Sequence, residues 1–323
     1  MKENLKNTYI VKNNLEVLRN LDDKSFEFIY MDPPYNTGRD FGHFDDKWSS
    51  MKDYREFLRP VLIECQRLLK DDGNIAVHIE PKISHHVRMV LDSVMGESNF
   101  RNSIVWKTGG NKKTSYFIPR RHDEIIVYSK NKNKKPIFNP QYKSYDETYK
   151  KKNAVKKCPK TGREYVTSAC HNAQPDIIKR EKLRYKWNGH DLQWWWSKEL
   201  MQKRHDEDRL IYNKRGIPRI KKYLDEMEGI PLNDVWDDIS APAYKEKLDY
   251  ATQKPVALLE RLVKIYTNTG DTVLDPFAGS GTTARAAISL DRDYLMIDIN
   301  KHGKEQFEKS LSQIEMEKTK KTS

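Results

Sequence analysis

The sequence has few cysteines and no long apolar run, and both absences narrow the class of protein. Three cysteines occur among 323 residues: Cys65, Cys158 and Cys170. An odd, sparse set argues against a disulfide framework and is typical of a reducing compartment. No stretch approaches the roughly 18 apolar residues of a membrane span, and the first ten residues lack the apolar region of a signal peptide. The sequence therefore predicts a soluble, cytoplasmic protein with no membrane partner.

Acidic residues are scarce in one continuous third of the chain. Residues 101–200 contain 24 Lys and Arg against 9 Asp and Glu, whereas the whole chain has a net charge of +12 and the remainder carries −3. A concentrated positive charge favours a polyanion partner, because Lys and Arg near phosphates release condensed counterions on binding. A lysine-rich solvated surface is the alternative interpretation of the same charge.

The hydrophobic pattern predicts two segments of alternating strands and helices. In residues 1–130 we expect strands at 26–31, 74–79, 103–107 and 124–129, with helices at 54–69, ended by Asp72-Gly73, and 83–95, ended by Gly96. In residues 250–317 we expect a helix that begins at Pro255 with Thr252 as its cap, strands at 272–274 and 294–297, and helices at 282–290 and 301–317. Such alternation predicts an α/β fold with a doubly wound, mostly parallel sheet.

The middle of the chain shows no such repeat. Residues 131–249 are basic, polar and rich in Tyr and Trp, and we interpret them as an inserted target-recognition region. Within it, one or more of Trp194, Trp195 and Trp196 are expected to belong to the core of this region, and an aromatic contact with DNA is the alternative. The region also contains three residues of types that bind zinc, Cys158, Cys170 and His171. Their spacing is irregular and a fourth ligand is missing, so no metal is predicted. Residues 318–323 form a basic tail.

A glycine-bearing turn between a strand and a helix predicts a cofactor site. Residues 275–283 read DPFAGSGTT, in which the strand ends on an acid and the glycines let a ligand approach the backbone. The spacing is neither GxGxxG nor that of a P-loop. Asp298 ends the next strand and can accept hydrogen bonds from ribose hydroxyls. A helix cap before residue 301 is the alternative role for Asp298.

A second motif, Asp32-Pro33-Pro34-Tyr35, also follows an apolar strand. Two prolines stiffen the turn, and the Asp32 carboxylate and the Pro33 carbonyl are both acceptors suited to an –NH2 group. Tyr35 offers a flat face for a base. Two acceptors can hold a delocalised exocyclic amine so that its lone pair faces an electrophilic methyl group. A structural Pro-Pro turn is the less favoured alternative.

The two motifs in this order resemble the β-class amino-methyltransferases of DNA, in which the catalytic motif precedes the cofactor motif. The resemblance implies a Rossmann-like methyltransferase fold with a circularly permuted motif order and S-adenosylmethionine as the methyl donor. It also implies that Asp32, Pro33, Pro34 and Tyr35 engage the target base. The residues expected to bind the cofactor are Asn13, Lys254, Asp275, Phe277, Ala278, Gly279, Ser280, Gly281, Thr282 and Asp298.

Asn13 departs from the family pattern, because members usually have Gly-Asp where this sequence has Lys12-Asn13. That difference predicts weaker cofactor affinity. The leading Asp32 resembles the adenine-N6 members rather than those that methylate cytosine N4. Cytosine N4, an amine of RNA or protein, and a DNA-binding relative that has lost catalysis stay open as alternatives.

Duplex DNA is the expected partner, and the target base must be extruded from the helix to reach a pocket. Lys112, Lys113, Arg120 and Arg121 are candidate phosphate anchors, although ordinary solvated side chains are equally consistent with each one taken alone. A homodimer and a separate restriction endonuclease are both left open by the sequence.

Overall fold

The structure is a computed structural model that describes residues 5–40, 45–109, 116, 118–173, 181–244 and 246–322. Its strands are β1 (Thr8–Val11), β2 (Phe26–Met31), β3 (Arg39–Asp40), β4 (Asp45–Asp46), β5 (Leu69–Ile79), β6 (Phe100–Lys107), β7 (His122–Ser129), β8 (Tyr142–Lys143), β9 (Lys156–Lys157), β10 (Glu164–Ala169), β11 (Arg184–Trp187), β12 (His190–Gln193), β13 (Leu210–Tyr212), β14 (Pro218–Tyr223), β15 (Ile230–Pro231), β16 (Val235–Trp236), β17 (Thr272–Asp275) and β18 (Asp293–Asp298). Its α-helices are α1 (Asn14–Leu18), α2 (Met51–Leu68), α3 (Ser84–Met95), α4 (Glu147–Lys152), α5 (Lys198–Asp206), α6 (Val256–Tyr266), α7 (Thr282–Ser289) and α8 (Lys301–Thr322).

The chain divides into two compact units. Residues 1–140 and 233–323 form the core unit, and residues 141–232 form the inserted unit. The inserted unit is narrower than the segment 131–249 singled out in the sequence. Asn139 donates its backbone amide to Ile265 at 2.8 Å, and β16 pairs with β6, so both ends of that segment belong to the core unit.

One eight-stranded sheet organises the core unit, in the order β1-β18-β17-β2-β5-β7-β6-β16. Neighbouring strands are parallel, except that β7 runs antiparallel to both β5 and β6. All six side chains of β2 are buried, as expected for a central strand covered on both faces. The predicted α/β class with a mostly parallel sheet is therefore confirmed.

Helices cover both faces of this sheet. α2 and α3 pack together on one face, where their apolar residues join Ile29 and Met31 of β2 in one hydrophobic cluster. On the other face Phe28 stacks on Tyr266 of α6, with ring centroids 5.4 Å apart. Side chains of a strand alternate between faces, so Tyr30 shares the α6 side with Phe28.

Two details of the predicted elements are wrong. Gly73 does not end α2, which stops at Leu68; it lies inside β5, where the register against β2 shifts. A Cβ on Gly73 would lie 2.8 Å from the Glu27 carbonyl oxygen, so this close approach requires glycine. Thr252 does not cap α6. The Glu246 carboxylate instead accepts the Val256 amide at 2.5 Å.

The inserted unit contains a four-stranded sheet in the order β13-β14-β10-β9, whose pairings are antiparallel. Trp194 is fully buried against Cys170, Met201 and Ile220, which confirms that this tryptophan is core. Among the described residues, no helix is both long and apolar enough to cross a membrane.

Candidate active site

Sheet topology brings together two motifs that lie 240 residues apart in the sequence. The Asp32 loop follows β2, and the glycine-bearing turn follows β17. These strands are parallel neighbours, with Val273 beside Phe28 and Leu274 beside Ile29. The carboxyl ends of parallel strands share one edge of the sheet, which is where open α/β sheets bind ligands. Asp298 ends β18, the neighbour of β17 on its other side.

The glycine-bearing turn is held by two carboxylates. Asp275 accepts the Phe277 amide at 3.0 Å and the Thr283 hydroxyl at 2.6 Å. Asp298 accepts the Gly279 amide at 2.7 Å and the Asn300 amide at 2.8 Å. Asp298 therefore ties the turn to β18. The residue that caps the helix beginning at residue 301 is Asn300 rather than Asp298, because the Asn300 side chain accepts the His302 amide at 2.9 Å.

Burial disfavours the charged form of both acids. It raises the pKa of Asp275 to about 7, against the opposing hydrogen bonds from Thr283 and Phe277. Burial also raises the pKa of Asp298, against the backbone amides that it accepts. Raised carboxyl pKa values indicate that nearby protein cations do not compensate these groups. A cationic ligand would do so.

A cavity of about 300 Å³ lies between the two motifs within the core unit. Its lining includes the predicted residues Asn13, Asp32, Pro33, Pro34, Tyr35, Lys254, Asp275, Phe277, Ala278, Gly279, Ser280, Thr282 and Asp298. Four lining side chains are acidic, namely Asp32, Asp46, Asp275 and Asp298, whereas Lys254 is the basic one among the described residues there. The cavity is thus acidic and contains aromatic walls.

Lys254 contacts the Asp32 loop directly. Its ammonium group donates to Asp32 and lies 3.2 Å from the Tyr35 hydroxyl, which itself donates to the other oxygen of Asp32. The Lys254 ammonium also lies 5.3 Å from the centre of the Tyr35 ring. The resemblance placed Lys254 beside the cofactor; in the structure its contacts are with the residues predicted to hold the base. Burial, followed by the charge of Asp32, holds the pKa of Tyr35 well above its ordinary value, so the hydroxyl keeps its proton.

Gly281, Arg120 and Arg121 do not line the cavity, and Asn13 lines it while also serving a structural role. Gly281 has φ +73 and faces Phe307, where a Cβ would meet the ring at 2.5 Å, so it shapes the turn without lining the cavity. Asn13 lines the cavity, yet its side chain caps α1 by accepting the Leu15 amide at 3.0 Å. Arg120 is exposed and pairs with Glu80 at 2.6 Å, and the Arg121 carbonyl accepts the Thr108 amide. Lys112 and Lys113 lie outside the described residues.

Several residues that support the site gave no motif-level signal. Asp46 is buried and fixes the segment after Tyr35 by accepting the amides of Asn36 at 2.6 Å and Thr37 at 3.0 Å. The Tyr250 ring packs on Gly279, where an added Cβ would lie 3.2 Å away. Contacts made across the chain by isolated residues leave no pattern in a single sequence.

Known proteins resemble this chain over most of its length. The sequence profile of a DNA methylase family, which covers N6 and N4 methyltransferases, matches residues 26–309. The type II methyltransferase M.EcaI of Enterobacter cloacae is 30% identical over 308 residues, which cover 91% of this chain and 67% of that protein. The DNA adenine methyltransferase YhdJ of Escherichia coli is 25% identical over 296 residues, which cover 91% of this chain and 78% of that protein.

A solved structure also resembles this chain. The complex of M1.HpyAVI with S-adenosylmethionine has a TM-score of 0.51 at 17% identity and covers 94% of this chain and 98% of that one. This likeness concerns the fold. Relatives are often longer, since this chain spans 48% to 78% of the length of the curated proteins compared with it.

Proposed function

The chain belongs to the DNA methylase family of N6 and N4 methyltransferases, and we propose that it transfers a methyl group from S-adenosylmethionine to adenine N6 in duplex DNA. The observation that carries this proposal is the shared cavity, in which an Asp-Pro-Pro-Tyr loop faces a glycine-bearing turn across two adjacent strand ends. The name of the relative YhdJ, a DNA adenine methyltransferase, and the leading Asp32 favour adenine over cytosine. We also assign the chain to the β class, because its catalytic motif precedes its cofactor motif.

The chemistry of the cavity suits this methyl donor. S-adenosylmethionine has a sulfonium and an ammonium group against one carboxylate, so it is a net cation. The cavity has four acidic lining side chains and a carboxyl pKa raised by burial, and a bound cation would relieve both. We assign Asp275, Gly279 and Asp298 to hold the donor, with Phe277 and Asn13 at the same wall. When bound, the donor supplies an electrophilic methyl group on sulfur.

Asp32 has room for a target amine although two protein groups already contact it. A carboxylate offers about four lone-pair sites, and Tyr35 and Lys254 use two of them. The amine would donate one hydrogen to Asp32 and the other to the Pro33 carbonyl, which turns the nitrogen lone pair toward the methyl group. In a direct in-line transfer the N–C bond would form as the S–C bond of the donor breaks, and the proton released by the methylated amine would go to Asp32 or to water.

Duplex DNA requires a positively charged surface, which the acidic cavity does not offer. The inserted unit, residues 141–232, contains 22 Lys and Arg against 13 Asp and Glu. We propose that it contacts phosphates and selects the recognition sequence, while Arg120 and Arg121 of the core unit add phosphate contacts. A cytoplasmic location follows from a DNA substrate, and the family of modification enzymes suggests a separate endonuclease. Light scattering with and without DNA would decide whether the enzyme is a homodimer.

Incorporation of tritiated methyl groups into unmethylated duplex DNA tests the proposed activity. We expect incorporation by the wild-type enzyme and a loss of at least about a hundredfold in Asp32→Ala, because the main acceptor for the amine is removed. Nucleoside analysis of the product should give N6-methyladenine. A product that contains N4-methylcytosine would overturn the assignment to adenine but would agree with membership of the family. Cofactor binding without methylation of any DNA would instead favour a relative that has lost catalysis.

A further inference from the structure

Three polar side chains form a series of hydrogen bonds across the core unit, from the wall of the cavity to β7. The Tyr30 hydroxyl lies 2.8 Å from His78 Nδ1, and His78 Nε2 lies 3.2 Å from Asp123 Oδ2. Tyr30 lines the cavity, two residues before Asp32. We call Tyr30, His78 and Asp123 the polar chain. None of its members belongs to the motifs described above.

The sheet itself creates this alignment. β2, β5 and β7 are consecutive strands, and each contributes one member on the face that α6 covers. Ala76 pairs with Tyr30 in register, and His78 pairs with Ile125, two residues from Asp123. The polar chain therefore crosses β2, β5 and β7 at the edge of the sheet where the cavity opens.

The partners of His78 fix which of its nitrogens bears the hydrogen. Burial, and then the charge of Asp32, raises the pKa of Tyr30 well above its ordinary value, so Tyr30 donates to Nδ1. Burial is the largest single influence on Asp123 and would raise its pKa, but the His78 hydrogen bond and the nearby positive charge, including that of Lys254, together lower that pKa. An ionised Asp123 then accepts from Nε2–H. Burial and the nearby Lys254 ammonium lower the pKa of His78, so the ring is neutral.

A purely apolar trio would stabilise this part of the sheet at least as well. His78 is fully buried and Tyr30 is 2% exposed, and burying such groups is unfavourable unless each is hydrogen-bonded. Within the polar chain, Tyr30 and Asp123 are each hydrogen-bonded to His78, and the series ends at the cavity beside the Asp32 loop. The Tyr35 ring lies 6.4 Å from the His78 ring, and Trp106 meets the same ring edge-on at 5.6 Å.

We propose that His78 is a positioning residue for methyl transfer, which holds the Tyr30 hydroxyl and thereby the cavity wall beneath Asp32 and Tyr35. This inference rests on the proposed methyltransferase activity. Because both ring nitrogens of a protonated imidazole are donors, protonation of His78 leaves the Tyr30 hydroxyl without its acceptor. The groups that face His78 are Tyr30, Tyr35, Asp32, Asp123 and Lys254. Among these groups, His78 is the one whose protonation breaks the polar chain.

Steady-state kinetics between pH 5 and 9 tests the proposal. We expect Tyr30→Phe and His78→Leu each to lower kcat about tenfold at pH 8, with the KM for S-adenosylmethionine changed less than twofold, because each loses the same hydrogen bond. The kcat of the double variant should be no lower than that of the less active single variant, because the losses from two partners in one hydrogen bond are not additive. His78→Asn keeps an acceptor for Tyr30 and does not titrate. It should retain at least a third of the kcat, and its activity should persist to lower pH than that of the wild type.

His86→Asn is the matched control. His86 lies on α3 beside Arg55, and its pKa is also lowered by burial, but it is no part of the polar chain. Its kinetics should equal those of the wild type. Multiplicative losses in Tyr30→Phe and His78→Leu, or an acid limb unchanged in His78→Asn, would overturn the proposal. If His78→Leu does not fold, Tyr30→Phe and His78→Asn still decide it.

A spectroscopic measurement separates this inference from the proposed function. In protein labelled with ¹⁵N-histidine, the His78 ring, assigned by its absence from His78→Asn, should be neutral at pH 7 with an unprotonated Nδ1. A protonated ring, or a hydrogen on Nδ1, would overturn the polar chain whether or not the enzyme methylates DNA. Failure of the wild type to methylate any DNA, with the expected ring signal present, would overturn the proposed function, and with it the role of His78 in methyl transfer, but would leave the polar chain itself intact.

Discussion

Lys254 and Asp32 come from opposite ends of the sequence and meet in one cavity. The ammonium group contacts Asp32 and lies 3.2 Å from the Tyr35 hydroxyl, so it organises the loop that we assign to the base. In Lys254→Met, Asp32 would face Asp275 and Asp298 without a protein cation. We expect kcat to fall about ten- to a hundredfold, because the ammonium group that holds the Asp32 carboxylate and the Tyr35 hydroxyl in place is lost.

Lys264→Met is a matched control for this prediction, because Lys264 is an exposed cation on the neighbouring helix α6. It makes the same change in net charge outside the cavity. Methyl incorporation at several pH values would compare the two variants. Equal activity of Lys254→Met and the wild type across the pH range would show that Lys254 has no role in the reaction.

Asp275 links the cavity to the stability of the fold. Its pKa is raised from 3.8 to about 7 by burial, so the folded protein binds a proton more tightly than the unfolded chain does. Stability from this group is fully present below about pH 4 and is lost as pH rises through 7. Between pH 5 and 8 the wild type should lose roughly 2–3 kcal/mol from this source, a loss that Asp275→Asn should not show. Urea unfolding at both pH values would measure it. Parallel changes in the two proteins would contradict the assignment.

At the scale of elements, periodic patterns identified most of the sheet and its helices. The predicted strand at 26–31 and the helix ended by Gly96 are confirmed, because each has a continuous apolar run or face and a clear terminator. The errors lie where a distant contact decides the outcome. Gly73 is required by the carbonyl of Glu27, and Glu246 rather than Thr252 caps α6. The polar chain escaped detection because its members lie 48 and 45 residues apart.

Helix α8 supports the glycine-bearing turn through Gly303. A Cβ at this position would lie 2.2 Å from the Gly279 carbonyl oxygen and 2.9 Å from the Tyr9 hydroxyl, which itself donates to that carbonyl at 2.6 Å. Gly303→Ala should therefore push α8 away from the turn and destabilise the protein by about 1–3 kcal/mol. We expect the Tm to fall by several degrees and cofactor affinity to weaken about tenfold.

Thermal denaturation and calorimetric titration with S-adenosylmethionine would measure both effects of Gly303→Ala. Gly109→Ala is the control, since none of the described residues places an atom within 4 Å of a Cβ built at that position. An unchanged affinity in Gly303→Ala would show that the turn tolerates displacement of α8.

At the scale of the whole molecule, the two units divide the proposed work. The sheet and the cavity are built entirely from the core unit, whereas the inserted unit carries 22 Lys and Arg against 13 Asp and Glu, which is most of the net charge of +12. The sequence predicted an inserted region at residues 131–249 from its basic, polar composition and its lack of a strand–helix repeat. It could not give the boundaries, because residues 131–140 and 233–249 are polar yet pack with the core unit through β16 and Asn139.

Lys151, Lys152 and Lys157 are exposed cations of the inserted unit and test that division. If they contact phosphates, replacing all three with Gln should weaken DNA binding and lower the slope of log affinity against log salt concentration by up to about 2.7, since each contact contributes about 0.9. Cofactor affinity should not change, because the cavity belongs to the core unit. The triple replacement of Lys264, Lys301 and Lys309 with Gln makes the same charge change on the core unit and should leave the slope nearly unaltered. Equal slopes for both triple variants would mean that binding depends on net charge and that the inserted lysines make no phosphate contact.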